Sequence, residues 1–136
     1  MVIRMSITSD LLRGHTETII LANLLMNDSY GYEINKEIQK ISDGMYELKE
    51  ATLYGAFRRL EESGCIVSYW GDEHTGARRR YYRITDKGRN YFEDCKKEWE
   101  TAKNLIDKLT AAKPAKSAKS AKSAEPVKPK IIEGAD

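Results

Sequence analysis

Apolar residues recur at helical spacing through most of the first 110 positions, and at strand spacing in one short interval. The most regular stretch, 50–83, reads EATLYGAFRRLEESGCIVSYWGDEHTGARRRYYR. Within it Leu53, Ala56, Phe57 and Leu60 fall at i, i+3, i+4 and i+7, a single stripe about 100° wide. The opposite face carries Ala51, Gly55 and Arg58, flanked by Thr52, Tyr54 and Arg59. Gly64 follows, where a left-handed helix cap is expected. Cys65–Gly71 and Arg78–Thr85 then read as two β-branched and aromatic strands around a turn at Asp72–Ala77.

Upstream, Asp10–Met26 reads as one helix with Ser9 as its N-cap. Its apolar residues from Ile19 to Met26 point nearly all round the wheel, the mark of a helix covered on two sides, one of them by a second subunit. After Asn27–Asp28–Ser29, a second helix capped by Ser29 spans Gly31–Ser42, with Ile34, Ile38 and Ile41 as its core stripe and Asp43–Gly44 as its stop. Met45–Lys49 is a connector or one short strand with Leu48 turned inward, and the next helix starts near Glu50 without a good N-cap. Downstream, Thr85 caps a long helix in which Phe92, Cys95, Trp99, Ala102, Ile106 and Leu109 alternate in steps of three and four. That is a coiled-coil seam about two and a half heptads long. Its first part suits packing on its own domain, and its continuation to Leu109 suits pairing with another chain.

These elements give a mainly α chain with a small β-hairpin (α+β). The organisation expected is a winged helix-turn-helix over 1–85, a dimerisation helix over 86–110 and a tail over 111–136. In the tail the repeat AKSAKSAKSA and three prolines replace any apolar period. Such composition cannot bury enough surface to offset its ordering entropy, so disorder is expected. Its lysines would either attract DNA weakly or only solubilise.

Charge sharpens the picture only through its distribution. The formal net charge is +2, but the tail holds six lysines against three acids, so residues 1–110 are slightly acidic. Positive charge gathers instead at Arg58–Arg59 and Arg78–Arg89. A helix with a small, basic outer face beside an arginine-tipped hairpin points to DNA, although an arginine run alone is more often a solvated face. Thr52, Tyr54, Gly55 and Arg58 would enter the major groove with Arg59 alongside, and Tyr32 would donate to a phosphate near a helix N-terminus. Arg79 and Arg80 would follow the backbone or minor groove, with Tyr81 as the exposed wing aromatic.

Other chemistries find little support. Cys65 and Cys95 have no CxxC partner and no histidine at metal spacing, so neither a metal site nor any cofactor is expected, and both read as reduced thiols. His15 and His74 are the only histidines, and no nucleophile motif or phosphate loop accompanies them, so an enzyme is not expected. The longest uncharged run, Thr18–Asn27, is too short to cross a bilayer, and a cytoplasmic protein is expected.

Three segments resemble the PadR family of transcriptional regulators over about Leu11–Leu109. They are Tyr30-Gly31-Tyr32-Glu33-Ile34; Glu50-Ala51-Thr52-Leu53-Tyr54 with Arg59-Leu60-Glu61 and Gly64; and Gly76-Ala77-Arg78-Arg79-Arg80-Tyr81-Tyr82-Arg83-Ile84-Thr85 with Gly88. The single C-terminal helix resembles the short subfamily. Ser68-Tyr69-Trp70-Gly71-Asp72-Glu73 and Trp99 are further similar to its multidrug-transporter repressors of the lactococcal type. That resemblance implies a homodimer on double-stranded DNA, with a flat pore in which paired tryptophans sandwich planar aromatic effectors. Trp99 would supply the pair, and His15, Ile19, Lys96 and Lys103 would line the slot. From spacing alone, core packing is the simpler role for Trp99. Lys96 and Lys103 depart from the more apolar or acidic residues of that branch and favour neutral or anionic guests. The alternative is a dimeric regulator with no small-molecule effector, controlled by abundance or a partner protein.

Overall fold

The computed structural model describes residues 9–71 and 78–112. The expected turn at Asp72–Ala77 and the expected tail from 113 onward lie outside them. The chain falls into two units, Met1–Trp99 and Glu100–Asp136.

In the first unit, α1 (Thr16–Leu24), α2 (Gly31–Ile41) and α3 (Glu50–Glu62) precede an antiparallel hairpin of β1 (Ile66–Trp70) and β2 (Arg80–Ile84). A long helix, α4 (Asp86–Leu109), begins in this unit. Among the described residues the fold is therefore mostly helical with one two-stranded sheet, as the apolar periods predict. The α3 stripe is buried as expected: Leu53, Ala56, Phe57 and Leu60 join Ile20, Leu21, Leu24, Ile34, Ile38 and Leu48 in one core. On the hairpin, Ile66, Tyr82 and Ile84 face that core, and the Tyr82 ring stacks on Phe57 with centroids 3.9 Å apart.

Gly64, at φ 81°, ends α3 in the left-handed region a glycine tolerates. The amides of Gly64 and Cys65 donate back to Glu61 O and Leu60 O, a Schellman closure. Thr85 caps α4 by accepting from the Gly88 amide at 3.0 Å, and its own hydroxyl donates toward Gly64 O and Cys65 O. Gly88 passes so close to β1 that a Cβ would lie 2.2 Å from Cys65 O.

Several boundaries differ from expectation. The first helix is not continuous over Asp10–Met26: residues 9–13 are helical, Gly14 and His15 form a turn, and α1 restarts at Thr16. Glycine lowers the cost of leaving the helix there, and Thr16 Oγ1 bonds back to Arg13 O at 3.0 Å. The core-facing part of α1 is as expected, but Met26 is 85 % exposed. Ser29 is not the cap of α2. It is drawn into the sheet by reciprocal backbone bonds with Tyr82 at 3.2 and 2.8 Å, and Tyr30 takes the N-cap place without a side-chain bond. Ile41 is 75 % exposed, because the last turn of α2 runs past the core that receives Ile34 and Ile38.

Phe92, expected at the head of an inter-chain seam, is buried within its own chain. In the second unit α4 continues to Leu109, where the Thr110 hydroxyl bonds Ile106 O. Ala102, Leu105, Ile106 and Leu109 are exposed along it.

Candidate nucleic-acid interface

The start of α2, the first turns of α3 and the end of the wing meet around one cleft. Its lining is Tyr30, Gly31 and Tyr32, Tyr54, and Arg78, Arg79 and Arg80. Gly31 makes the junction possible: a Cβ there would fall 2.5 Å from the Tyr54 hydroxyl oxygen. Tyr54 is thereby held upright against α2, its ring edge-on to Phe57, while part of it stays exposed. Thr52 and Arg58 are exposed on the same helix, and Gly55 between them presents bare backbone. Tyr32 is exposed at the N-terminal turn of α2, with Lys36 Nζ 5.9 Å from its ring centroid. The N-terminal amides of that turn, Lys36 and the arginines of the cleft favour an anion.

The connector that delivers α3 is fixed by a residue with no sequence signal. Asn35 on α2 uses both ends of its amide, donating to Leu48 O at 2.7 Å and accepting from Leu48 N at 2.8 Å. This clasp pins the turn between α2 and α3 and seats Leu48 in the core, so α3 leaves α2 at a set angle.

The arginines have different surroundings, which composition does not distinguish. Arg58 and Arg78 have no carboxylate partner among the described residues, and Arg78 rests over Trp70, 5.0 Å from the ring centroid. Arg79 lies over Tyr30 at 4.8 Å. Arg59, expected alongside the DNA-facing residues, turns instead to α1 and bonds Glu17 Oε2 at 2.9 Å. Tyr91 on α4 donates to the other Glu17 oxygen at 2.9 Å, a bond that raises its phenol pKa. Arg80 reaches Glu61 at 3.4 Å, and Ser68 donates to the same carboxylate at 2.6 Å. Arg83 is bound to Asp28.

Tyr81 is on the outer face of the hairpin, as expected from Tyr82 and Ile84 facing inward, but it is not a free contact. Tyr69 stacks on it at 5.7 Å and Tyr30 meets it edge-on at 5.2 Å. These rings form a layer beneath the arginines. Their spacing favours aromatic contact and cation–π support. At the end of the layer, Asp28 accepts from Arg83 and from the Tyr69 hydroxyl, and the arginine bond holds its carboxyl below the usual range. The bond to Asp28 raises the Tyr69 phenol.

Of the residues expected at an effector slot, His15 and Trp99 are in contact. His15 sits edge-on to Trp99, with centroids 4.9 Å apart, and Trp99 is 41 % exposed. Ile19 is half-buried against the core, Lys96 is exposed, and Lys103 is exposed with a partner at Glu100 3.5 Å away. Cys95 is half-buried, in a shallow cleft with Arg13, Glu17, Arg59 and Tyr91. Among the described residues no cluster of His, Cys, Asp and Glu could hold a metal ion, and no helix is long and apolar enough to cross a membrane.

Comparison with known proteins fits this geometry. The pattern of the transcriptional regulator PadR-like family matches residues 20–94. "Uncharacterized protein X" of Lysinibacillus sphaericus is 46 % identical over 101 residues, which cover 74 % of this chain and 93 % of that protein. A solved transcriptional regulator from Clostridium thermocellum is 50 % identical, with a TM-score of 0.69 over 74 % of this chain and 98 % of its own. A PadR family transcription regulator from Clostridium difficile is 35 % identical, with a TM-score of 0.61 over 70 % and 97 % of the two chains. One from Eggerthella lenta is 30 % identical, with a TM-score of 0.70 over 82 % and 95 %.

Proposed function

The chain belongs to the PadR-like family of transcriptional regulators, and on that footing we propose that it is a repressor that binds a palindromic operator as a homodimer. The observation that carries the DNA mode is the convergence of Tyr32, Tyr54 and Arg78–Arg80 on one cleft beside the exposed face of α3. Residues 1–85 act as the winged DNA-binding domain, with Thr52, Tyr54, Gly55 and Arg58 toward the major groove. Tyr32, Arg78, Arg79 and Arg80 meet the sugar–phosphate backbone. Phosphate contacts set register while base contacts set sequence, so the two groups should fail differently.

Residues 86–110 act as the dimerisation helix, joined by α1. Exposed Trp99, Ala102, Ile106 and Leu109 support this, since a solvated apolar row on a helix gains by pairing. The chain then belongs to the short subfamily and is similar to the lactococcal multidrug-transporter repressor. Two Trp99 rings near the dyad would receive a planar aromatic effector between them, His15 bracing each ring from its edge. Each ring pair adds about 0.5–1.5 kcal/mol beyond area burial. Release of DNA requires the effector to bind the free dimer better than the DNA-bound one.

The test uses duplexes selected from a random pool. Changing Arg78 and Arg79 to Ala should weaken every duplex alike and flatten the salt dependence, by about 0.9 in log–log slope for each phosphate no longer neutralised. Arg58→Ala should also change the selected sequence. Unaltered binding and slope in all of these variants would refute the winged-helix mode. Trp99→Ala, once shown to remain dimeric and to hold its operator, should lose fluorescence quenching by planar dyes and stop releasing DNA. If it still releases DNA at the same dose, the effector site lies elsewhere.

A further inference from the structure

Arg83 is held more closely than Arg80, the other arginine of β2 with an ion-pair partner, which reaches Glu61 only at 3.4 Å. Strand alternation puts Arg83 on the same outer face of the hairpin as Tyr81, toward which Arg79 also turns through its contact with Tyr30. Arg83 is well exposed, and nothing in its position bars it from a phosphate. Yet two of its nitrogens donate to one oxygen of Asp28, with Nη2 2.9 Å and Nε 3.1 Å from Oδ2. The guanidinium lies over the Tyr69 ring at 5.2 Å, and the Tyr69 hydroxyl donates to the same carboxylate. The loop carrying Asp28 is itself tied down by the Ser29–Tyr82 backbone bonds and by Tyr30 against Tyr81.

An exposed ion pair adds little to folding stability. Here the larger consequence is for the charge that the wing shows to DNA. A free guanidinium at this place would add a contact that reads no sequence, and such contacts raise affinity for every duplex. We propose that Asp28 is a specificity-determining residue: it retains Arg83 and keeps it out of the set of phosphate contacts. Indiscriminate positive charge on the inner half of β2 is thereby reduced. This rests on the DNA-binding reading given above.

Pure electrostatics and simple bracing predict different outcomes from this, so the proposal can be separated from both. The experiment measures affinity for the selected operator and for an unrelated duplex across a salt series, using the full chain. Asp28→Asn keeps the side-chain shape and removes the charge. It should tighten binding to the unrelated duplex severalfold at low salt, steepen the slope by about 0.9, and lower the ratio of operator to unrelated affinity. Arg83→Gln alone should leave the wild-type slope unchanged, because Arg83 makes no phosphate contact while Asp28 holds it. The double variant Asp28→Asn, Arg83→Gln should return to the wild-type slope. Unchanged slope and ratio in Asp28→Asn would overturn the proposal. So would weaker binding to both duplexes together with a lower melting temperature, since that marks a mere brace. A shallower slope in Arg83→Gln would show that Arg83 already touches DNA, and overturns it too. Wild-type protein that binds no duplex at all would sink the DNA reading itself, an outcome distinct from these.

Discussion

Gly55 and Gly88 are both helical glycines, and their surroundings give opposite predictions. At Gly88 a Cβ would collide with the backbone of Cys65, so Gly88→Ala should cost about 1–3 kcal/mol in denaturant melts, as overpacking does. At Gly55 the nearest atom is Arg59 Nη1 at 3.7 Å, at the end of a flexible side chain. Gly55→Ala should therefore raise stability by about 0.5–1 kcal/mol through helix propensity, yet weaken operator binding if this face meets bases. A stabilised variant that binds operator as well as wild type would remove Gly55 from the interface. Asp28 gives a prediction in pH. Its folded pKa is depressed, first by the Arg83 bond, so its contribution is present above the ordinary value of 3.8 and is lost as pH falls through the folded value. Asp28→Asn should lose less stability than wild type over that acid interval when melting is followed by circular dichroism. The sequence could show that arginines cluster in this chain but not which of them are taken. Glu17, Glu61 and Asp28 lie 42, 19 and 55 residues from the arginines they bind, and no local period carries such pairings.

The helices that carry apolar stripes were legible because burial selects one face at 3.6 residues per turn. Their ends were less so. Ser29 looks like a cap by type, but reciprocal bonds to Tyr82 satisfy two backbone groups at once and outweigh a single side-chain bond. The break at Gly14–His15 has a glycine as its only signal, and a lone glycine is often tolerated inside a helix. The angle between α2 and α3 depends on Asn35, whose role is invisible until Leu48 is seen beside it. Asn35→Ala removes two bonds worth about 0.5–1.5 kcal/mol each and leaves the Leu48 amide and carbonyl without that partner. It should destabilise by about 1–3 kcal/mol. Operator affinity should fall at temperatures where the fold is still intact, because the entry to α3 loosens before the core does. Equal weakening of fold and binding on heating would show that the clasp serves stability alone.

For the molecule as a whole, the assembly prediction concerns large apolar residues left exposed among the described residues. Phe92 is spent on its own core, whereas Ile106 and Leu109 stay exposed. Changing both to Asp should yield monomers or aggregates in sedimentation, and a fully dimeric double variant would refute the α4 seam. The heptad pattern of α4 was legible in the sequence, but the point at which the helix stops serving the chain's own core was not, since intra-chain and inter-chain packing share one period. The base of the wing leads further. Thr85 N and Oγ1 bond to Cys65 O and Gly64 O, and Gly71 N meets Arg79 O at 2.8 Å, so the hairpin is closed like a stem at both ends of its ladder. A loop grafted between Gly71 and Arg78 then has its anchor points already set, and each doubling of its length costs only about 0.6 kcal/mol. This wing is a socket: peptide tags, fluorophore-bearing loops or longer basic fingers inserted there should leave the melting temperature nearly unchanged while retuning what the regulator grips.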